Sequence, residues 1–377
     1  MDFSLSEAQE MLRTMARDFF ITECPKSLVR EMATDERGYP PELWGKMAEL
    51  GWMGLVFSEE YGGGGGTFLD LAVLLEEMGR ACLPGPFFST VVLAGLTIQE
   101  AGSEQQKKEF LPQIAKGGLV ATLALTEPSA RYTPEAISVK AGASGEEYII
   151  DGTKLFVPDA HVADYIICVA RTKESVPARE GITLFGVDAK SPGLSCTPLV
   201  TMVGDKQCEL VFDKVHLPKK NILGELDRGW TYIDKVLQQA AIAKCAEMVG
   251  GAQQVLEMTV SYAKERVQFG RPIGSFQAIQ HHCANMATDV DGCRFITYQA
   301  AWMLSEGLAC TREVAMAKAW VSDAFRMVSV LGQQVHGGVG FIEDHDMPLY
   351  FKRAKAWELA FGDADFHREK VAQELGL

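Results

Sequence analysis

One carboxylate, Glu247, is predicted to lie on a helical face that is otherwise made of small or uncharged side chains. Ala240, Ala243, Gly251 and Gln254 recur with it at intervals of three or four residues, which is the spacing of one face of an α-helix. Small side chains allow a ligand to approach a helix closely, and a carboxylate at such a place can act as a general base. The spacing therefore makes Glu247 a candidate for proton abstraction from a bound ligand.

A second, apolar stripe predicts that the segment around Glu247 is one long helix. Its members also recur at intervals of three or four, and they are Ile233, Leu237, Ala241, Cys245, Met248, Ala252, Leu256, Thr259 and Ala263. Gly270 and Pro272 are predicted to end the helix, and Phe276 is predicted to begin the next one. The helix is thus predicted to run into Arg266 and Phe269.

The composition indicates a globular protein and excludes several classes of function. The chain has 377 residues, enough for two or three domains, and its formal net charge of −14 argues against a nucleic-acid partner. Nine cysteines are scattered without metal-site spacing, which predicts no metal and a reducing compartment. No apolar run reaches the roughly 18 residues of a membrane span, and the acidic N-terminal segment is unlike a signal peptide. We therefore expect a cytoplasmic protein without membrane insertion.

The hydrophobic periodicity changes twice along the chain and predicts three domains. Residues 1–118 are predicted to form an N-terminal helical domain, with helices over Glu7–Ile21, Pro41–Leu50 and Phe68–Cys82. Residues 119–225 contain short strand-like runs separated by turn signals such as Asp151-Gly152, which predict an antiparallel barrel or sandwich. These runs are Val120–Thr126, Ile137–Ala141, Glu147–Ile150, Tyr165–Ala170, Ile182–Val187, Leu194–Leu199 and Glu209–Val215. Residues 226–377 are predicted to be helical again.

Three motifs give the chain a resemblance to a known family. The segment from Tyr262 to Met286 begins with the pattern YA-x-x-R-x-x-FG-x-x-I-x-x-FQ, the segment from Leu125 to Pro128 reads LTEP, and the segment from Gln333 reads QQVHGGVGF. With these motifs the chain resembles the acyl-CoA dehydrogenase family over essentially its whole length. The resemblance implies a mostly α fold with a central antiparallel β domain between an N-terminal helical domain and a C-terminal four-helix bundle.

The resemblance also implies that FAD is the cofactor and that it lies at an interface between subunits. The residues at matching positions are Leu125, Thr126 and Phe156 beside the flavin ring, Arg266 at the pyrophosphate, Phe269 and Gln277 near the adenosine, and Gln334 and Gly338 in a loop from a second subunit. A guanidinium suits the pyrophosphate because it forms charge-assisted hydrogen bonds. Thr126 could instead be an ordinary strand residue, and Arg266 could instead pair with a neighbouring glutamate.

Two loops depart from the family pattern. The family usually continues Thr-Glu-Pro with Gly-x-Gly-Ser-Asp, whereas this chain has Ser129-Ala130-Arg131-Tyr132-Thr133, so Arg131 is a candidate contact to the substrate. Pro158 lies where the family often has a threonine, and proline has no hydroxyl to offer the flavin. The flavin and substrate loops are therefore expected to be rebuilt in this chain.

The position of the catalytic base also departs from the family. Most members have a glutamate where this chain has Phe361, followed by Gly362, and a minority have one where this chain has Ala240. The backbone N–H at Phe361 would still be able to hold a thioester oxygen. Glu247 lies seven residues after Ala240, on the same helix face and about 10 Å along the axis. The predicted base is therefore Glu247, with Asp363 as the alternative; Glu247 could instead pair with Lys244. Gly251, Phe361 and Gly362 are predicted to contact the substrate.

The resemblance implies an oxidoreductase that converts an acyl-CoA thioester into the 2-enoyl-CoA. A carboxylate would remove the α-proton while the β-hydride passes to flavin N5. A bulky, branched or cyclic acyl group is favoured, an electron-transferring flavoprotein is the expected electron acceptor, and a dimer of dimers is the expected assembly. Two alternatives remain open. The chain could be a non-catalytic or half-site subunit that pairs with a sister chain in a heterotetramer, or it could be an enoyl-CoA reductase.

Overall fold

The computed structural model describes residues 4–174 and 176–377. The first three residues of the predicted N-terminal domain lie outside this described part. The chain divides into two compact units, each built from separate segments. The helical unit comprises the chain up to Arg30 together with Thr67–Leu83 and Ala241–Leu377, and the sheet unit comprises Glu31–Gly66 and Pro84–Ala240. The predicted domain boundaries after residues 118 and 225 stay predictions.

α-Helices make up about half of the described chain. Their bounds are α1 Glu7–Glu23, α2 Lys26–Thr34, α3 Pro41–Glu49, α4 Phe68–Ala81, α5 Leu96–Ala101, α6 Glu104–Ala115, α7 Gly229–Glu265, α8 Gln277–Ser305, α9 Thr311–His336, α10 Met347–Leu359 and α11 Ala364–Glu374. A π-helical turn over Phe88–Gly95 precedes α5. Within the described residues, no helix is both long and apolar enough to cross a membrane.

Several helix starts are determined by local side chains. A capping box satisfies two backbone N–H groups that have no partner inside the helix, because the cap and the third helical residue bond each other's backbone. Capping boxes begin α1, α4 and α6, and they consist of Ser6 with Gln9, Thr67 with Asp70, and Ser103 with Gln106. These starts depend only on neighbouring residues, so they can be predicted from sequence.

Helices α4 and α7 of the helical unit touch backbone to backbone. A Cβ atom on Gly79 of α4 would lie 2.0 Å from the carbonyl oxygen of Glu247, and one on Gly250 of α7 would lie 1.7 Å from the carbonyl oxygen of Glu76. Real Cβ atoms do not approach so closely, so only glycine permits this crossing. Buried polar contacts add to it, because Glu76 accepts hydrogen bonds from Tyr298 Oη at 2.6 Å and Arg294 Nε at 3.1 Å. The close crossing fixes the position of Glu247.

One eight-stranded sheet forms the centre of the sheet unit in the described part of the chain. The strands are β1 Ala121–Ala124, β2 Lys140–Ser144, β3 Glu147–Pro158, β4 Tyr165–Arg171, β5 Ile182–Asp188, β6 Leu194–Leu199, β7 Gln207–Pro218 and β8 Ile222–Leu223. Their order is β6-β7-β3-β2-β4-β5-β8, and β1 pairs with β4. The predicted order of helices, sheet and helices is confirmed, but the sheet is mixed, since β1 and β4 run parallel.

The predicted turn at Asp151-Gly152 is wrong. Strand β3 continues through these residues to Pro158, and Gly152 lies at a shift in the register with β7. A glycine inside a strand often marks such a bulge, which bends the strand without ending it. Because the strand continues beyond Gly152, Lys154 and Phe156 belong to it and lie toward the end of β1.

Candidate active site

Helix α7 presents Glu247 as a largely buried carboxylate. Its side chain is 13% exposed, and it forms an ion pair with Lys244, whose side chain is 11% exposed. The Lys244 ammonium also lies 5.3 Å from the centroid of the Trp357 ring. The pair uses Glu247 Oε2, and Oε1 has no hydrogen-bond partner in residues 4–174 and 176–377. The lysine pairing that the sequence left open is therefore present, and one carboxylate oxygen remains for chemistry.

Helix packing accounts for the small residues on the same face of α7. Ala240 and Ala243 are fully buried, and a Cβ atom on Gly251 would lie 2.7 Å from the Phe325 ring. These positions need small side chains even without a ligand. The predicted contact between Gly251 and the substrate stays a prediction.

A sharp turn between α10 and α11 contains Phe361 and Gly362. Both residues have positive φ angles, 58° and 96°. A Cβ atom on Gly362 would lie 2.2 Å from Phe366, so glycine is required there for space as well as conformation. The next residue, Asp363, caps α11, and its Oδ1 accepts a hydrogen bond from the Phe366 N–H at 2.9 Å. One oxygen of the alternative base is thus used in a structural role.

Two buried side chains hold the turn from inside the bundle. Lys318 Nζ donates hydrogen bonds to the carbonyl oxygens of Glu358 at 2.9 Å and Gly362 at 2.8 Å. His367 Nε2 lies 3.0 Å from the carbonyl oxygen of Phe361. Burial is the main cause that lowers the pKa of Lys318 to about 8 and the pKa of His367 to about 3. At neutral pH, Lys318 is therefore mostly charged and His367 is neutral.

A buried ion pair in the sheet unit joins the two segments that carry the predicted flavin contacts. Lys154 Nζ lies 2.7 Å from Glu127 Oε1, and the side chains are 0% and 2% exposed. Lys154 also donates to the carbonyl oxygen of Leu125 at 3.1 Å, and the Leu155 N–H donates to the carbonyl oxygen of Thr126 at 2.9 Å. The end of β1 is thereby tied to β3.

The electrostatics of this pair favour the charged form of the carboxyl. Burial alone would raise the pKa of Glu127. The Lys154 ammonium and the hydrogen bonds from Ser138 and Val139 outweigh burial and lower it. The Glu127 carboxylate therefore stays charged beside Lys154 Nζ, close to the end of β1.

The predicted flavin contacts of the sheet unit lie on either side of this pair. Leu125 is buried and Thr126 is half-buried. Phe156 is 47% exposed and has a positive φ of 53°, which is unusual for an aromatic residue. The Thr126 hydroxyl has no hydrogen-bond partner within the described residues. Arg131 lies exposed in the rebuilt loop after Thr126.

The remaining predicted FAD contacts are exposed in the helical unit. Helix α7 ends at Glu265, and a hairpin of β9 Val267–Gln268 and β10 Arg271–Pro272 follows it. Phe269 and Gly270 form the hairpin turn with φ angles of 53° and 79°, and Phe269 is 92% exposed. The predicted helix end at Gly270 is thus five residues late, because Phe269 and Gly270 have the positive φ angles of a two-residue hairpin turn.

Arg266, Gln277, Gln334 and Gly338 are also exposed. Among residues 4–174 and 176–377, the Arg266 guanidinium has no hydrogen-bond or ion-pair partner, so it does not pair with a neighbouring glutamate. A Cβ atom on Gly338 would meet nothing within 4 Å of the described chain. Gly338 therefore has no steric reason to be glycine within this part of the chain.

The roles of Glu127 with Lys154 and of Lys318 with His367 were not predicted from the sequence. The positions of both lysines in the sequence pattern could have indicated that they are buried. Lys154 lies between hydrophobic positions of a strand, and Lys318 shares the apolar spacing of Val314, Val321 and Phe325 on α9. A lysine at a core position of a periodic pattern indicates a buried charge that needs partners.

Comparisons with known proteins agree along the whole chain. The family models for the acyl-CoA dehydrogenase N-terminal, middle and C-terminal domains match residues 6–118, 122–215 and 227–376. The chain is 33% identical over 380 residues to the probable acyl-CoA dehydrogenase YngJ of Bacillus subtilis (strain 168), covering 100% of both proteins. It is 32% identical over 381 residues to an acryloyl-CoA reductase (NADH) of Anaerotignum propionicum, covering 100% of this chain and 96% of the relative.

Solved structures give the same result. Butyryl-CoA dehydrogenase from Megasphaera elsdenii superposes with a TM-score of 0.93 at 29% identity, covering 100% of each chain. The steroid ACAD variant Tcur3481–Tcur3483 superposes with a TM-score of 0.88 at 31% identity, covering 99% of each chain. The chain therefore belongs to the acyl-CoA dehydrogenase family, whose members are flavoprotein oxidoreductases that act on CH–CH bonds.

Proposed function

We propose that this chain catalyses the FAD-dependent α,β-dehydrogenation of an acyl-CoA thioester to the 2-enoyl-CoA. The observation that carries the proposal is the largely buried carboxylate of Glu247 with one unpaired oxygen. The crossing of α4 and α7 at Gly79 holds this residue in place. Because neither family position for the base carries a carboxylate here, Glu247 is the residue best suited to the role.

Each unit contains groups that suit a part of FAD. The free Thr126 hydroxyl suits a ring nitrogen or oxygen of the flavin, and the free Arg266 guanidinium suits a pyrophosphate. The open space around Gly338 suits a close approach by a ligand or a second subunit. When bound, FAD supplies the acceptor for the β-hydride.

In the proposed reaction, residues of this chain would remove the α-proton and bind the thioester oxygen. Glu247 Oε1 takes the α-proton, while the ion pair through Oε2 to Lys244 orients the carboxylate. The backbone N–H of Phe361 would donate to the thioester oxygen, where negative charge develops as the proton leaves. Preorganised donors of this kind stabilise the transition state more than the ground state.

We further propose a bulky, branched or cyclic acyl group. The base is displaced by about two helical turns from Ala240, so the space around the reacting carbon differs from that in members with a base at that position. Arg131, Gly251, Phe361 and Gly362 are the proposed substrate contacts. An electron-transferring flavoprotein is the proposed electron acceptor, and a dimer of dimers is the proposed assembly.

The first test replaces Glu247 by Gln, which preserves shape but removes the base. We expect the variant to keep its FAD and to lose both flavin reduction by substrate and exchange of the thioester α-proton in D₂O. Removing a general base typically reduces the rate by about 10²–10⁴-fold. Glu369→Gln, a change to an exposed carboxylate of α11, is the matched control and should retain activity. Full activity in Glu247→Gln would refute this base, and Asp363→Asn would then be examined.

Two other functions have a specific observation in their favour. The relative in Anaerotignum propionicum is named as a reductase, which favours an enoyl-CoA reductase. The absence of a carboxylate at Phe361 and Ala240, together with the two-part name of the Tcur3481–Tcur3483 structure, favours a half-site subunit that needs a sister chain. Turnover of a 2-enoyl-CoA with NADH as the electron donor, faster than turnover of the acyl-CoA with an electron acceptor, would favour the reductase.

The visible absorption spectrum of the chain purified alone, measured on its gel-filtration peak, separates the homo-oligomer from the half-site subunit. A flavin band with about one FAD per chain on a tetramer peak supports a complete site in a homo-oligomer. A colourless peak that does not take up added FAD supports the half-site subunit, and a sister chain would then be sought.

A further inference from the structure

Lys318 is a fully buried lysine without a carboxylate partner in the described part of the chain. Burying an ammonium is unfavourable unless its hydrogen bonds are made. Nζ has three partners: Ser322 Oγ at 3.0 Å and the carbonyl oxygens of Glu358 at 2.9 Å and Gly362 at 2.8 Å. All three donors of the ammonium are therefore used, and two of them hold backbone carbonyls around the turn between α10 and α11.

His367 provides a second buried anchor for the same turn. It is 2% exposed, and its Nε2 lies 3.0 Å from the carbonyl oxygen of Phe361. Burial, with the nearby Lys318 charge, keeps the pKa of His367 far below neutral pH, at about 3. A carbonyl only accepts hydrogen bonds, so the neutral imidazole carries its proton on Nε2.

The anchored carbonyls fix peptide planes on both sides of the Phe361 N–H. The carbonyl oxygens of Glu358, Phe361 and Gly362 all point to Lys318 or His367. A peptide group is planar, so a fixed carbonyl fixes the N–H on the opposite side of the same plane. The anchored carbonyls of Glu358, Phe361 and Gly362 thus fix the N–H groups of Leu359, Gly362 and Asp363. The peptide that carries the Phe361 N–H lies between two of these fixed planes, which restrict its orientation. Bonds to a charged donor also polarise the peptides they reach.

We propose that Lys318 is a positioning residue for thioester recognition, which holds the turn at Phe361 and Gly362 together with His367. In this arrangement, the Phe361 N–H meets the carbonyl oxygen of the bound thioester. The inference rests on the proposed function, because it assumes a thioester at this turn. Lys318 touches neither substrate nor cofactor in this arrangement and acts only through the backbone.

The test compares two ligands that differ only at the thioester carbonyl. Crotonyl-CoA has this carbonyl, whereas its thioether analogue S-(2-butenyl)-CoA has CH₂ in its place. Calorimetry measures both affinities on the oxidised, FAD-bound protein, where no hydride is available and only binding is observed. We expect the unmodified protein to prefer the thioester by about tenfold or more, the value of one good hydrogen bond. Lys318→Met should lower this preference toward one without changing the affinity for the thioether.

Two controls separate positioning from general structure. Ser322→Ala removes the third partner of Lys318 but leaves both carbonyl bonds, so it should keep the preference. If Lys318→Met does not fold, His367→Leu removes the anchor of the Phe361 carbonyl and should lower the preference, while His367→Gln retains a donor and should keep more of it.

Each outcome decides the proposal. A preference that persists in Lys318→Met or His367→Leu overturns the inference and leaves the proposed function intact. Equal binding of both ligands by the unmodified protein overturns the contact at Phe361. If the unmodified protein binds neither ligand, and also binds neither member of a matched branched-chain enoyl-CoA and thioether pair, the proposed function is overturned, and the inference with it.

Discussion

Replacing Lys154 by Met tests whether the buried ion pair supports the end of β1, where the proposed flavin contacts Leu125 and Thr126 lie. The change leaves Glu127, which is 2% exposed, without its counter-charge. Removing one partner of a buried pair typically costs about 3–5 kcal/mol. Glu127 keeps hydrogen bonds from the N–H groups of Ser138 at 2.8 Å and Val139 at 3.1 Å, so we expect the lower end, about 3 kcal/mol. The Leu125 carbonyl also loses its donor, so FAD should dissociate more readily.

Urea unfolding followed by circular dichroism measures the loss, and the visible flavin absorbance after dialysis measures FAD retention. Protein concentration must be held constant, because association adds to the stability of an oligomer. The double variant Lys154→Met with Glu127→Gln removes both charges. Its loss in the free energy of unfolding should be about 2 kcal/mol smaller than the summed losses of the two single variants. Lys140→Met is the matched control: its pair with Glu174 is more than two-thirds exposed, and its loss should change stability little.

Two results would refute this reasoning. A loss of less than about 1 kcal/mol in Lys154→Met would mean that the pair does not carry the stability expected of a buried charge. Additive effects in the double variant would mean that Lys154 and Glu127 act independently. Unchanged FAD retention in a destabilised Lys154→Met would separate the stability argument from the cofactor argument.

Two further predictions concern packing and pH. Gly250→Ala should lower the free energy of unfolding by about 3 kcal/mol or more in urea denaturation, because its Cβ would lie 1.7 Å from the Glu76 carbonyl oxygen. Gly45→Ala is the control, because a Cβ atom on Gly45 of α3 would meet nothing within 4 Å in the described chain. This variant should be neutral or stabilise the protein by about 0.5–1 kcal/mol. Equal losses of stability in the two variants would contradict the packing argument. For His367, the folded-state pKa of about 3 lies below the ordinary 6.5, so the unfolded chain binds more protons between these values and stability falls as pH falls. From pH 7 to pH 4 this loss in the free energy of unfolding is about 3 kcal/mol. In His367→Gln, the free energy of unfolding should therefore fall by about 3 kcal/mol less over the same pH range. An identical fall in the variant and the unmodified protein would refute the buried, neutral state of His367.

Much of the fold could be predicted because it depends on neighbouring residues. Helix starts follow from capping boxes such as Ser6 with Gln9, and the apolar stripe of α7 follows from a period of 3.6 residues. Strand positions in the sheet unit also follow local periodicity. The parallel pairing of β1 with β4 could not be predicted this way, because no local pattern specifies a partner some 40 residues away.

The candidate site also has features that could be predicted from the sequence and features that could not. Motif spacing identified Glu247, Thr126 and Arg266 as candidates, and the sequence alone excluded a carboxylate at Phe361. The sequence also raised the pairing of Glu247 with Lys244, since residues three apart on a helix are neighbours.

Only the tertiary structure decided which charged residues are buried and what holds them. Lys154 reaches Glu127 across 27 positions, and Lys318 reaches Gly362 across 44. Whether such a lysine is a solvated surface charge or a buried anchor depends on desolvation, which arises only when distant elements pack around it. The sequence by itself indicated the order of helical and strand regions and the family motifs, whereas burial and long-range hydrogen bonding determined how the end of β1 and the turn at Phe361 are held.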